Sequence, residues 1–450
     1  MTTVKGAAPA RGLVPPLLRD REFRRFWAGS TVSMFGDQVS SIAVPLTAVL
    51  VLHAGPASMG YLTALEWLPS LLLGLHAGAW VDGRGQRRRT MIACDLGRFC
   101  LLATVPVCWT LHVLTMWQLY AVICAAGTLS TVFGVADGTL FVSIVSPSQY
   151  LDGQSLIYGS RAMSFVAGPS AGGLLAQLLG APLAIAADAL SFLGSALCLS
   201  RISPAEPPAA SDRRGVTAGL RFIARSPELR ASLIGGAVVN LFNLMFGALF
   251  TLYAIRTLHV SAGLLGLVLG CGAIGGVLGS MVTKRIAGRI GTGMAYVAGA
   301  LLFTVPFALA PLAATVPGHA VGGPLVLAML FAAQFACGFG VMVLDISIGT
   351  IFAALIPDAV RSRVGGAFSA INYGTRPVGA LLGGLLGTEL GLLPALWIAV
   401  AGGVIGALLL VPTPVARFRL PSLPARTRTP APGRRRVSPG RRPAPRPRIH

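Results

Sequence analysis

Nine ionisable side chains sit inside long apolar runs: Asp37, Glu66, Asp95, Arg98, Asp137, Arg161, Asp188, Asp345 and Arg376. A charge at bilayer depth costs roughly 3 kcal/mol on insertion scales, so each needs a counter-charge or a wet cavity. Asp95 and Arg98 are three apart, on one helical face, a spacing that lets them neutralise each other. Asp37 and Glu66 have no basic residue within a helical turn. In a wet cavity such an acid can take a proton from one side and release it on the other. Asp37 and Glu66 are therefore the main candidates for proton coupling, with Asp137 as a third. Asp137 also has a structural reading, as a charge pair with Arg161, and Asp345 has the same reading with Arg376. Asn240 and Asn243, at i and i+3, offer hydrogen bonds either to a cavity or to neighbouring helices.

Other chemistries find no residues. No Ser/His/Asp constellation stands out, so no catalytic residue is assigned and an enzyme is not expected. The seven cysteines (94, 100, 108, 124, 198, 271 and 337) lack metal-ligand spacing and read as small packing residues, so neither a metal nor a cofactor is expected. No Gly-x-x-x-x-Gly-Lys-(Ser/Thr) loop occurs, which leaves direct ATP hydrolysis unsupported.

The elements that hold these side chains follow from composition. The 450 residues are 54% hydrophobic and 11% charged, with mean hydropathy +0.73; soluble domains carry about 25% charged residues. Continuous apolar runs of bilayer-crossing length recur from residue 27 to 412. The expected fold is an all-α polytopic membrane protein with twelve transmembrane helices. Its expected segments are an N-terminal stretch (1–26), a six-helix half (27–201), a linker (202–230), a second six-helix half (231–412) and a tail (413–450). Lys and Arg gather on one side, at Arg84–Arg89, the linker, Lys284–Arg289, Arg361–Arg363 and the tail, which predicts that both termini are cytoplasmic in the cell membrane.

Two basic segments carry further expectations. In the linker, Leu220, Phe222 and Ile223 alternate with Arg221 and Arg225, predicting a short amphipathic helix on the membrane face. The tail interleaves prolines with eleven arginines from Arg417 onward and has no acid, which predicts disorder and attraction to anionic lipid headgroups rather than nucleic acid.

An internal repeat relates the halves. Phe133-Gly134 and Asp137 correspond to Phe339-Gly340 and Asp345. Tyr158 and Arg161, followed by Gly168-Pro169 and Gly172-Gly173, correspond to Tyr373 and Arg376-Pro377 followed by Gly383-Gly384. Two related six-helix halves suit a secondary transporter whose site lies between them.

At these residues the chain resembles the major facilitator superfamily. Its loop signature after the second helix, Gly-x-x-x-Asp-(Arg/Lys)-x-Gly-(Arg/Lys)-(Arg/Lys), is matched by Gly78, Asp82, Gly85, Arg87 and Arg88. Gly83 stands where that family has a basic residue, with Arg84 displaced by one. Gly168, Pro169, Gly172 and Gly173 look like the end of the fifth-helix motif of proton-coupled exporters, whose earlier glycines fall here on Ser155 and Ser164. Phe23-Arg24-Arg25-Phe26-Trp27, Phe35 to Gln38 and Gly219 to Ile223 further resemble bacterial drug and siderophore (enterobactin-type) exporters. The fourth-helix arginine of drug–proton antiporters is absent near Ile123.

The resemblance implies a monomeric secondary transporter driving efflux of a small amphipathic molecule against protons by alternating access. It also implies a cavity lined by helices 1, 4, 7 and 10, and a cytoplasmic latch in which Asp82 meets the start of helix 11. A symporter or lipid-handling importer of the same fold, or a non-transporting membrane sensor, are the alternatives.

Overall fold

The computed structural model describes residues 16–203, 217–315 and 323–419; the side chains of 16, 74–79, 82–84, 139, 147, 217–219, 358, 359 and 361–363 lie outside that description. Gly78, Asp82 and Arg84 are among them, as is the whole tail beyond Arg419. No β-strand is present among the described residues.

Twelve long helical segments run back and forth. The first half holds α1 (Arg21–Leu46, continued by a π turn to Val51), α2 (Pro56–Arg84), α3 (Arg87–Thr110), α4 (Met116–Ile144), α5 (Tyr150–Leu179) and α6 (Ala181–Ser200). A short α7 (Thr217–Arg225) leads to the second half: α8 (Pro227–Arg256), α9 (Ala262–Ile290), α10 (Thr292–Thr304), α11 (Leu309–Ala313), α12 (Pro324–Leu355), α13 (Asp358–Glu389) and α14 (Leu392–Leu408). A 3-10 turn at Val305–Ala308 joins α10 and α11 into one crossing. Helix is forced here, because hydrocarbon offers backbone groups no other partner. Helix starts are marked by polar caps: Asp20 accepts from Glu22 N (2.7 Å) and Phe23 N (3.1 Å), and Ser226 and Ser261 cap α8 and α9. The even number of crossings leaves Pro16 and Arg419 on one side, called below the terminus side.

Packing repeats between the halves. In the first, α1 packs on α5 and α6, α3 on α4 and α6, and α2 on α4. In the second, α8 packs on α13 and α14, α10 on α12 and α14, and α9 on α12. The halves meet chiefly along two seams, α2 against α13 and α5 against α9, with lighter contact of α1 and α2 on α8.

Both meetings are backbone contacts between glycines on the side opposite the termini. A Cβ at Gly173 would lie 2.5 Å from Ala262 O and 2.8 Å from Gly266 Cα; a Cβ at Gly60 would lie 2.7 Å from both Ala380 O and Gly384 Cα. Only a missing side chain allows approach this close. The neighbouring glycines point inward, to their own half. A Cβ at Gly172 would lie 2.9 Å from Val39 Cα of α1, and one at Gly383 would lie 2.7 Å from Met245 O of α8. Each Gly-Gly pair thus joins its helix to its own half with one residue and to the opposite half with the next. Gly168 belongs to the inward set, facing Gln38 of α1, while the Pro169 carbonyl faces Gly266.

Two local features differ from, or add to, the sequence reading. The linker helix α7 packs part of its apolar set on protein: Ile223 is buried in a cluster with Leu229, Leu233, Ile356, Val364 and Ala367, while Leu220 stays exposed. In the turn after α2, Gly85 adopts φ 62°, the left-handed conformation that closes a helix C-terminus and favours glycine. Arg87 is buried, and Arg88 donates to the last carbonyls of α6, Leu199 O (2.9 Å) and Ser200 O (2.7 Å). A guanidinium there satisfies helix-end acceptors and meets the negative end of the helix dipole. Arg88→Gln should therefore cost about 1 kcal/mol, read as a lower unfolding temperature of the detergent-purified protein; an unchanged temperature would leave these bonds without weight.

Candidate functional site

Away from the glycine contacts the halves part, and a two-lobed cavity opens toward the terminus side. The larger lobe, about 750 Å³, lies between the halves, lined from α1, α2, α5, α8, α9, the 3-10 turn before α11, and α12. It continues on the terminus side of the α5–α9 contact, where Ala162 and Ser280 face the space instead of each other. The smaller lobe, about 500 Å³, is enclosed mainly by the first half. Gln38, Ser41, Pro45, Thr63, Glu66, Trp67 and Phe165 line both, so the lobes join at the α1–α2–α5 wall.

The lobes differ in chemistry. Phe165, Phe246, Phe250, Phe307 and Trp67 make the larger lobe aromatic, with Asn243, Gln334 and Thr251 as its polar points. The smaller lobe carries three acids, Asp37, Glu66 and Asp188, and a single base, Arg98. Asp37 and Glu66 are exposed, facing this space. Asp188 is 1% exposed and accepts from Ser40 Oγ and from Ser191 Oγ (3.1 Å). Arg98, 2% exposed, donates to Asp95 and to Ser130 Oγ (3.4 Å), with its guanidinium 4.0 Å from the Phe192 ring centre and 4.5 Å from that of Phe133. A planar cation between two ring faces is a favourable arrangement. The lobe as a whole favours a cationic group.

The remaining sequence candidates fall in varied places. Asp137 continues the α4 stripe of Ile123, Gly127 and Ser130 two turns nearer the termini, but lines neither lobe; its Oδ1 is buried without a hydrogen-bond partner. The close ion pair expected with Arg161 is not formed: among the described residues no carboxylate lies within 4.0 Å of Arg161, which leans on the Tyr158 ring at 5.9 Å. Nor does Asp345 come within 4.0 Å of Arg376, though the two charges still feel each other. Arg376 instead lies 4.0 Å over Trp67 and 4.7 Å over Tyr373, and those rings stack across the α2–α13 contact. Repeat-related sequence places thus do not make repeat-related pairs, because Arg376 reaches the opposite half. Asn240 donates to Asn372 Oδ1 (2.7 Å), binding α8 to α13, while Asn243 faces the cavity. The first, fourth, seventh and tenth crossings (α1, α4, α8 and α12) line the cavity as expected, and α2, α5 and α9 add to its wall.

Sequence reasoning missed Trp67, Asn372, Gly60 and Gly266. A stripe of small residues at 263, 266 and 270 marked α9 as a close-packing helix; nothing local distinguished Trp67 from any aromatic in an apolar run.

Against this geometry stand the comparisons. The family model described as transmembrane secretion effector matches residues 12–441. The chain belongs to that family of major facilitator transporters. The multidrug efflux pump Tap of Mycolicibacterium fortuitum is 27% identical over 375 residues, covering 79% of this chain and 87% of Tap. The MFS-type transporter YfiS of Bacillus subtilis (strain 168) is 28% identical over 399 residues, 84% of this chain and 89% of YfiS. Among solved structures, an inward-facing bacterial homologue of the iron transporter ferroportin shares the fold with a TM-score of 0.69 at 16% identity, covering 88% of this chain and 99% of that one. An inward-facing, unoccupied bacterial homologue of the lysosomal transporter Spinster does so with 0.69 at 14%, covering 90% and 98%. A transporter of this superfamily sits in a lipid bilayer and moves small molecules, which assigns the two-lobed cavity a role.

Proposed function

We propose that this transporter is a monomeric, proton-driven exporter of the cell membrane, carrying small amphipathic molecules with a cationic end out of the cytoplasm. The observation that carries the reading is the placement of Asp37 and Glu66 in one cavity, open on one side and closed by glycine contacts on the other. The Lys and Arg distribution supports a cytoplasmic open side. The relatives named as multidrug efflux pumps support the outward direction.

The cycle follows from the two lobes. An apolar body enters the aromatic lobe from the cytoplasm, and its cationic group turns toward Asp37, Glu66 and Asp188. Rocking of the halves parts Gly60 from Gly384 and Gly173 from Gly266, and closes the terminus side. Protons arriving from outside neutralise the carboxylates, and the cation loses its counter-charge and leaves. Differential affinity of the two states for cation and proton is what couples them.

The test uses inside-out membrane vesicles energised with a proton gradient and loaded from outside with a fluorescent lipophilic cation. Asp37→Asn and Glu66→Gln should each reduce proton-driven accumulation to near background while leaving protein levels unchanged. Accumulation at the wild-type rate by the double variant would remove proton coupling from these two residues.

A further inference from the structure

A second cavity, of about 600 Å³, opens on the terminus side between α9, α10 and α12, and no function has yet been given to it. Its charged lining is wholly basic: Lys284 and Arg289 from the end of α9, and Arg419 from the chain that follows α14. That last segment is seated firmly. Gly293 N donates to Phe418 O (2.9 Å), and a Cβ on Gly293 would lie 1.9 Å from Val415 O, so the 3-10 turn Pro414–Arg417 and the residues just after it lie directly on the first turn of α10. Arg419 follows across Gly291, where a Cβ would lie 3.3 Å from its Cγ. Three cations are therefore collected at the N-terminus of a 13-residue helix, the positive end of its dipole.

An independent observation comes from α12. Ser347 lines this cavity, is 1% exposed, and its Oγ has no hydrogen-bond partner. A buried hydroxyl without a partner is costly, and it gains most from an acceptor. Ser280, Thr283 and Thr350 have spent their O–H groups on Val277 O, Gly279 O and Ile346 O, so among the hydroxyls lining the cavity Ser347 and Thr292 are still able to donate, and of these Ser347 is the one whose oxygen is buried. Gly288, with nothing near where a Cβ would be, leaves room between the cations.

We propose that this cavity binds a phosphate group, with Lys284, Arg289, Arg419 and Ser347 donating to its oxygens beside the α10 N-terminus. Phosphate suits such a set because three donors of fixed positive charge and a hydroxyl meet its several acceptor oxygens. The group belongs either to an anionic phospholipid whose headgroup enters from the adjoining leaflet or to a soluble phosphate ester. Occupancy would fasten the start of the basic tail to α9, the helix that carries Gly266, and Ser280 lines both this cavity and the larger lobe of the transport cavity. The site stands apart from the transported molecule and from proton coupling.

Full-length protein in bilayer discs of phosphatidylcholine and phosphatidylglycerol is released into neutral detergent, and retained lipids are counted by native mass spectrometry. Wild type should retain phosphatidylglycerol preferentially. Removing three cations (Lys284→Ala, Arg289→Ala, Arg419→Ala) should lower that preference roughly tenfold or more, while removing three elsewhere (Arg221→Ala, Arg225→Ala, Arg230→Ala) should not. Ser347→Ala, which keeps every charge, should weaken retention in the same direction and covers the case of a misfolded triple variant. If glycerol 3-phosphate binds wild type but not the groove variants, and no lipid is retained, the phosphate source is soluble. Equal loss in both triple variants, or retention in the groove triple and Ser347→Ala variants alike, overturns the site.

Discussion

Gly173→Val should hold the side opposite the termini open and stop transport without preventing insertion. Its added atoms would meet the backbone at Ala262 O and Gly266 Cα, at 2.5 and 2.8 Å for Cβ alone, and backbone cannot rotate out of the way as a side chain can. Overpacking of this kind costs about 1–3 kcal/mol. The cost falls on one state only, because α5 and α9 need to touch only when that side is shut. A penalty of about 1–3 kcal/mol in one state shifts the balance roughly 5- to 150-fold. Spin labels at Leu178 on α5 and Leu267 on α9, both exposed, should report a longer separation than in wild type. An unchanged separation together with normal transport would make the glycine contact incidental.

The neighbouring position is the control. Gly172 faces Val39 of α1 within its own half, so Gly172→Val strains every state equally. It should lower the unfolding temperature and leave the separation alone. Gly384→Ala, on the other seam, should act as a milder version of Gly173→Val, since its Cβ would meet Gly60 Cα at 3.0 Å and Pro56 O at 3.1 Å.

Much of this architecture was legible in the chain. Apolar run length announces a crossing because the bilayer sets one thickness, and the Gly-Gly pairs at 172–173 and 383–384 mark close approach whatever they approach. What they approach was not legible. Gly173 with Gly266, and Gly60 with Gly384, are pairings across the halves that no local period encodes. Arg376 shows the same limit. Its place in the repeat suggested Asp345, yet the long side chain lies over Trp67 of the opposite half and Tyr373 of its own helix. Short-range geometry fared differently: Asp95 and Arg98, three apart on one helix, are close whatever the fold does around them. The acid lobe falls between these cases. Every one of its charges was visible as an ionisable group in hydrocarbon, but their convergence depends on how α1, α2, α3 and α6 face one another.

That convergence makes Arg98 the side chain with the largest expected effect in the first half. Arg98→Met leaves Asp95, 0% exposed, without its cation, and one Asp95 oxygen already has no hydrogen-bond partner. Breaking a buried ion pair from one side costs about 3–5 kcal/mol, so this variant should be recovered in low yield and unfold at a clearly lower temperature. Adding Asp95→Asn removes the stranded charge and should restore most of that stability, as replacing both members of a buried pair commonly does. Transport should not return with it. Arg98 also lines the lobe that holds Asp37, Glu66 and Asp188, and it is the only base there. Without it only Arg376, which lies over Trp67 and interacts with Glu66, is left to balance three carboxylates, and the difference between a cation-loaded and a proton-loaded lobe, on which coupling depends, is changed. Measured together, unfolding temperature and proton-driven uptake into inside-out vesicles separate the two roles. Stability recovered with uptake still lost assigns Arg98 to the charge balance of the transport site. Recovery of both would confine it to bracing α3.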